Sequence, residues 1–166
     1  MKLRLRLAAI ASGLLVAAGV GMAFAGPATA APGGNVWVSA AGYGKLWWSS
    51  DSGRFSSSHS HNTPLTEIKC TTSGNPLTCE LQLPNGLCMT WNLAAGNRIG
   101  AISCKRLASQ YWIQDELSNG DYRIENKYGN AHYGTKAYLV SPGSGREVYL
   151  ATGTPGTNAE WIPTSG

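Results

Sequence analysis

The chain has 166 residues, and its 13 lysines and arginines against 9 acids give a formal net charge of +4. Three of those cations fall within the first six residues, which leaves ten cations and nine anions elsewhere and no basic run long enough to hold a phosphate backbone. With only 13% of residues charged and 21 glycines, the composition excludes nucleic acid as a first partner and suits one exported domain with a hydroxyl- and amide-rich surface.

The first element is a targeting segment. Lys2, Arg4 and Arg6 precede an uncharged run over residues 7–25, and Ala28-Thr29-Ala30 offers a small-x-small cleavage site. That order is the order of a secretory signal peptide. The run is nearly long enough to cross a bilayer, but its alanines and glycines make it weakly hydrophobic, so no membrane anchor is expected after cleavage. Residues 1–30 are read as signal and residues 31–166 as a single secreted, extracellular domain.

Beyond the signal no apolar pattern keeps a helical period. Short β-branched or aromatic segments stand at 36–39, 45–48, 66–70, 77–81, 87–91, 99–104, 111–114, 122–126, 137–141, 147–151 and 160–163, cut by Gly, Pro, Asn and Ser. They predict an all-β domain, a barrel or a sandwich. Between them, Phe55-Ser56-Ser57-Ser58-His59-Ser60-His61 reads as a solvated loop. Its two histidines have no third ligand at a convincing spacing, so neither a metal site nor any other cofactor is expected.

Four cysteines, Cys70, Cys79, Cys88 and Cys104, imply disulfides in an exported chain. Of the three possible pairings, local geometry favours one. Cys70 and Cys79 lie symmetrically about Gly74-Asn75, a hairpin turn signal, which leaves Cys88 to close a loop with Cys104.

Internal repetition sharpens the fold. Gln110-Tyr111-Trp112-Ile113 is echoed by Ala159-Glu160-Trp161-Ile162, 49 residues on, and more weakly by Leu65-Thr66-Glu67-Ile68, where Glu67 takes the tryptophan's place. The segment from Val38 to Trp48 similarly matches that from Val140 to Leu150. Three units of roughly 40 to 50 residues fill the mature chain.

Three such units resemble the β-trefoil in its ricin-type lectin version. Gly86-Leu87-Cys88-Met89, Ile102-Ser103-Cys104 and Gln110-Tyr111-Trp112 stand in that family's order, and the resemblance covers residues 35–166. It implies three four-strand repeats and joins Cys88 to Cys104, in agreement with the hairpin argument. A small disulfide-bonded β-sandwich, as in secreted inhibitors, is the alternative architecture. In the trefoil reading Trp112 and Trp161 are core residues, and Gln110 bonds backbone groups that tie adjacent repeats.

The resemblance also implies a sugar site. In the family a sugar stacks on an aromatic ring, an aspartate accepts two of its hydroxyl protons, and an asparagine three residues before the core tryptophan assists. Here the aspartate position falls at Thr90 in the middle repeat and near Val140 or Ser141 in the last, none of them acidic; the asparagine position holds Ser109 and Asn158. The expected site is therefore in the third repeat, with Asn158, Tyr149 as the stacking ring and Ser141 in the carboxylate's place. Trp47 and Trp48 offer a second place, because neighbouring strand residues point to opposite faces and one of the two must face outward.

No Gly-x-Ser-x-Gly elbow and no glycosidase pair of acids stands out, and His132 is isolated in the sequence, so no enzyme is expected. The expected partner is a carbohydrate, bound by a monomer. The alternative is a secreted protein partner, with the domain acting as a protein-binding trefoil such as a protease inhibitor.

Overall fold

Short β-branched and aromatic segments, most with one face buried, build the strands of the fold. The structure, a computed structural model, describes residues 34–95 and 98–166; the signal expected over residues 1–30 lies outside them. The strands are β1 (Asn35–Ser39), β2 (Lys45–Ser49), β3 (Arg54–Ser58), β4 (Thr66–Ile68), β5 (Leu77–Gln82), β6 (Leu87–Asn92), β7 (Arg98–Ser103), β8 (Tyr111–Glu116), β9 (Tyr122–Asn126), β10 (Ala137–Val140), β11 (Tyr149–Thr152) and β12 (Glu160–Ser165). A short helix, α1 (Lys127–Tyr133), follows β9. Among the described residues no helix is long and apolar enough to cross a membrane.

The first and fourth strands of each four-strand unit make a closed barrel. β1 pairs with β12, β12 with β9, β9 with β8, β8 with β5 and β5 with β4, all antiparallel. Asn35 and Leu65 close the ring by exchanging backbone hydrogen bonds of 2.8 and 2.9 Å. The hairpins β2–β3, β6–β7 and β10–β11 cap one end, joined through Tyr149↔Arg98 and Ser56↔Glu147. Closure with three equivalent hairpins is a β-trefoil, and it rules out the sandwich.

Three-fold equivalence can be read from the register. Leu65, Trp112 and Trp161 each pair with the first strand of their own unit, at Asn35, Cys79 and Tyr122. All three are fully buried. The first repeat's counterpart of the tryptophan is thus Leu65, and the expectation of Glu67 there is two residues out of register. The tryptophans use their indole N–H in the same way: Trp112 Nε1 donates to the Met89 carbonyl and Trp161 Nε1 to the Leu139 carbonyl, both at 3.0 Å. Leucine has no such donor, and the Thr63 backbone N–H takes the equivalent Leu46 carbonyl instead, also at 3.0 Å. The core repeats in the same manner, with Trp37, Leu81 and Ile124 on the first strands and Leu46, Met89 and Leu139 on the second.

Two elements differ from the sequence expectations. Phe55–Ser58 is not loop but most of β3; Phe55 and Ser57 are fully buried on its inner face, and only His59–His61 lie beyond it on the surface. The serines resemble a solvated segment, but Ser57 faces inward and only Ser56 and Ser58 lie on the other, half-buried face, as strand alternation requires. Helix α1 is only seven residues long, too short to show a helical period in the sequence. Its caps are nevertheless ordinary: the Asn126 side chain accepts from Gly129 N at 2.9 Å, and Gly134 ends it at φ 66°.

Both expected disulfides are present, Cys70–Cys79 and Cys88–Cys104. They are consistent with an extracellular protein.

Glu67, displaced from the core position, lies half-buried on β4. Burial pushes its carboxyl above the ordinary 4.5, against the opposing effect of the Gln114 and Asn35 side chains. A raised folded value means that the folded state holds the proton more tightly than the unfolded one. Its contribution to stability is therefore present below about pH 4.5 and lost as the pH rises through the folded value. Glu67→Gln is expected to stabilise the domain relative to wild type more at pH 7 than at pH 4, as compared by urea midpoints. Equal differences at the two pH values would contradict this.

Candidate functional site

The outer face of β6–β7 carries a concavity. Thr90 pairs with Gly100, Asn92 with Arg98 and Cys88 with Ile102. Directly opposite residues share a face, so Arg98, Gly100 and Ile102 line up outward beside Thr90 and Asn92. The turn between β2 and β3 lies across them. A Cβ on Gly100 would stand 3.0 Å from the Gly53 carbonyl oxygen, so the glycine is what lets the turn approach. Between turn and strands is a groove of about 450 Å³, lined by Ser52, Gly53 and Arg54 from the first repeat and by Thr90, Arg98, Ile102 and Ser109, among others, from the second.

Thr90 and Ser109 are the residues that stand at the family's aspartate and asparagine positions in the middle repeat, so the groove lies at that repeat's counterpart of the family's sugar site and not in the third repeat, where the site is expected. Thr90 is buried and already engaged: its hydroxyl donates to the Cys88 carbonyl at 2.9 Å and accepts from Gln110 Nε2 at 3.2 Å. Gln110 also donates to the Ser103 carbonyl at 2.8 Å and accepts from Lys105 N at 2.7 Å. Every one of these partners is in its own repeat. Gln110 therefore braces the loop after β7 from within, a correction to the expectation that it ties adjacent repeats. A side-chain tie between the second and third repeats is made here by Asn126, whose Nδ2 donates to the Ser109 carbonyl at 3.0 Å.

The third-repeat residues separate. On β10, Leu139 faces the core, so Ser141 two residues later faces inward as well. It is fully buried and hydrogen-bonded through its hydroxyl to the Ser57 hydroxyl. Ser141 is thus not at a sugar contact; Val140 stands at the aspartate position, paired with Tyr149. Asn158 is half-buried, and its carbonyl accepts from Ser141 N at 2.9 Å. Tyr149 is 39% exposed, and its pairing with Arg98 sets it beside the rim of the middle-repeat groove.

In the first repeat, Trp48 packs against the core and its backbone N–H donates to Thr63 Oγ1 at 2.9 Å. Trp47, on the opposite face, stacks on His61 with ring centroids 4.8 Å apart and planes 28° from parallel. It occupies the aspartate position of that repeat, since Trp47 pairs with Ser56 as Thr90 does with Gly100. None of the three equivalent positions is acidic.

His132 is not isolated in space. It belongs to a ring cluster on α1, 4.9 Å from Tyr133 and 5.7 Å from the buried Trp91, with Tyr128 at 6.3 Å. Among the described residues no three His, Cys, Asp or Glu side chains are grouped to hold a metal ion.

No protein-family model and no curated protein matches the chain. Solved structures do. A glycoside hydrolase of family 43 titled a β-1,3-galactosidase superposes with a TM-score of 0.62 at 15% identity, over 78% of this chain and 26% of that one. ThreeFoil, a designed three-fold symmetric protein, gives 0.57 at 16% identity, over 78% and 96%. A mosquitocidal holotoxin gives 0.59 at 10%, over 79% and 16%. The likeness is one of fold. The β-trefoil stands almost alone in ThreeFoil, whereas this chain spans about a quarter of the galactosidase and about a sixth of the toxin.

Proposed function

We propose that the protein is a secreted, non-catalytic carbohydrate-binding module of ricin-type lectin character, with its sugar site in the groove on the middle repeat and Tyr149 at the rim. One observation carries this reading: a concavity of about 450 Å³ lies at the middle repeat's counterpart of the family's sugar site. The volume is that of a small-ligand site. With Thr90 already satisfied, no bidentate acceptor remains for a pair of sugar hydroxyls, and contact area from Ile102 and Tyr149 supplies most of the affinity. Binding in the millimolar rather than micromolar range follows, about 4 kcal/mol weaker.

A glycan array on the oxidised mature protein, followed by titration of the hits, tests the reading. Tyr149→Ala is expected to lose the binding while the melting temperature stays at the wild-type value, because the ring is 39% exposed. If this variant binds every hit as wild type does, the rim assignment fails and Trp47 is the next position to replace. An array and titration with no hit would reject the carbohydrate reading itself.

A protein-binding role is the second reading, favoured by the exposed rings of Tyr128 and Tyr133 on α1. Exposed tyrosines are common anchors of protein interfaces. A stoichiometric complex with a secreted protease, lost in Tyr128→Ala, would favour it over the lectin.

A further inference from the structure

We infer that the middle-repeat groove takes an anionic saccharide, one bearing a carboxylate or a sulfate ester, with Arg98 and Arg54 as its recognition groups. This rests on the carbohydrate reading above and names the class of sugar.

The described residues that line the groove include two guanidinium groups and no carboxylate. That inverts the chemistry expected at such a site, where an acid accepts protons from neutral hydroxyls. At the acid's place stands Thr90, whose hydroxyl is spent on Cys88 and Gln110; opposite it is Gly100, with no side chain at all. The polar capacity that remains is dominated by donors. An arginine offers five N–H groups in a planar fork and no acceptor, which matches a carboxylate or sulfate two bonds at a time and a hydroxyl poorly.

The two arginines come from different repeats and face the groove from opposite sides. Arg98 begins β7 and is exposed, on the same outward face as Gly100 and Ile102. Arg54 begins β3, next to the turn that forms the other wall. Its ion pair with Glu147, through one guanidinium nitrogen, anchors the side chain while leaving other N–H groups for a ligand. Two carboxylates adjoin Arg54 and neither is in the lining: Glu147, ion-paired with it, and Asp51 in the turn, which accepts from the Ser50 hydroxyl. With Arg54 paired, Arg98 gives the groove its positive charge, on a protein whose mature charge is close to neutral.

The test compares oligomers that differ only in the acid: oligogalacturonate against oligogalactose, with a sulfated galactan as a third arm to separate carboxylate from sulfate. Titration calorimetry is run on the oxidised mature protein at low and at physiological salt. At low salt the better anionic arm is expected to bind about tenfold tighter than the neutral one, the equivalent of one charge-assisted hydrogen bond. The preference is expected to shrink at physiological salt. Arg98→Gln is expected to abolish it, so that anionic and neutral oligomers bind alike, while the melting temperature stays as in wild type. Arg98→Lys, which keeps the charge without the fork, is expected to retain only part of it. If wild type binds the neutral oligomer as well as both anionic ones, or Arg98→Gln keeps the preference, the inference falls and the lectin reading stands. If no arm binds, both fall together.

Discussion

Trp112→Ala is expected to destabilise the domain by about 3–5 kcal/mol, the largest effect of any single substitution considered. The side chain is fully buried at the centre of the barrel and its indole N–H satisfies the Met89 carbonyl. Alanine removes the ring, opens a cavity and strands a buried carbonyl, the last worth about 1–3 kcal/mol. Trp161→Ala should behave alike, because Trp161 makes the equivalent bond to Leu139. Trp112→Phe separates the parts: it restores much of the volume but not the donor, so its loss should be smaller than that of alanine. Urea unfolding checks this, and a midpoint shift worth less than about 1 kcal/mol for either alanine variant would contradict a core role. Binding assays on these variants are informative only for the folded fraction, since lost stability would otherwise read as lost affinity.

Removing the Cys88–Cys104 bridge, as Cys88→Ala with Cys104→Ala, is expected to cost about 3 kcal/mol by loop-closure entropy. The two cysteines are 16 residues apart, against 9 for Cys70–Cys79. On that account the shorter bridge contributes about 0.5 kcal/mol less. The longer one also holds β6 against the loop after β7, the loop braced by Gln110 and carrying Ser109 at the groove. Its loss is therefore expected to weaken sugar binding as well as stability, whereas loss of Cys70–Cys79 should leave binding intact. Denaturation and titration of the two double variants check both orders. Equal effects on binding would remove the link between the Cys88–Cys104 bridge and the groove.

Much of this was legible in the sequence. Eleven of the twelve strands lie where short alternating segments stand between turn residues, because alternation is a local property that a strand must carry to bury one face. The repeat spacing predicted three units, and Cys70 and Cys79 about a turn signal predicted their bridge, since both depend on residues close in the chain. Tryptophans at a fixed interval marked the second and third repeats. Where the first repeat carries leucine, the same logic chose Glu67 over Leu65, because a residue's place in the barrel is set by its strand partner Asn35 and not by resemblance along the chain.

What only the tertiary structure decided is where surfaces meet. Ser141 followed from the sequence as a sugar contact, yet the register that pairs Val140 with Tyr149 turns it into the core against Ser57, 84 residues away. His132 acquires its ring neighbours only because α1 folds over Trp91. The groove itself has no signature in the sequence. Arg54 and Arg98 belong to different repeats and become neighbours of one cavity only when the β2–β3 turn settles on Gly100. Local pattern determines strands because each strand carries its own alternation; a concave site between two repeats depends on closure of the barrel, which no single segment encodes.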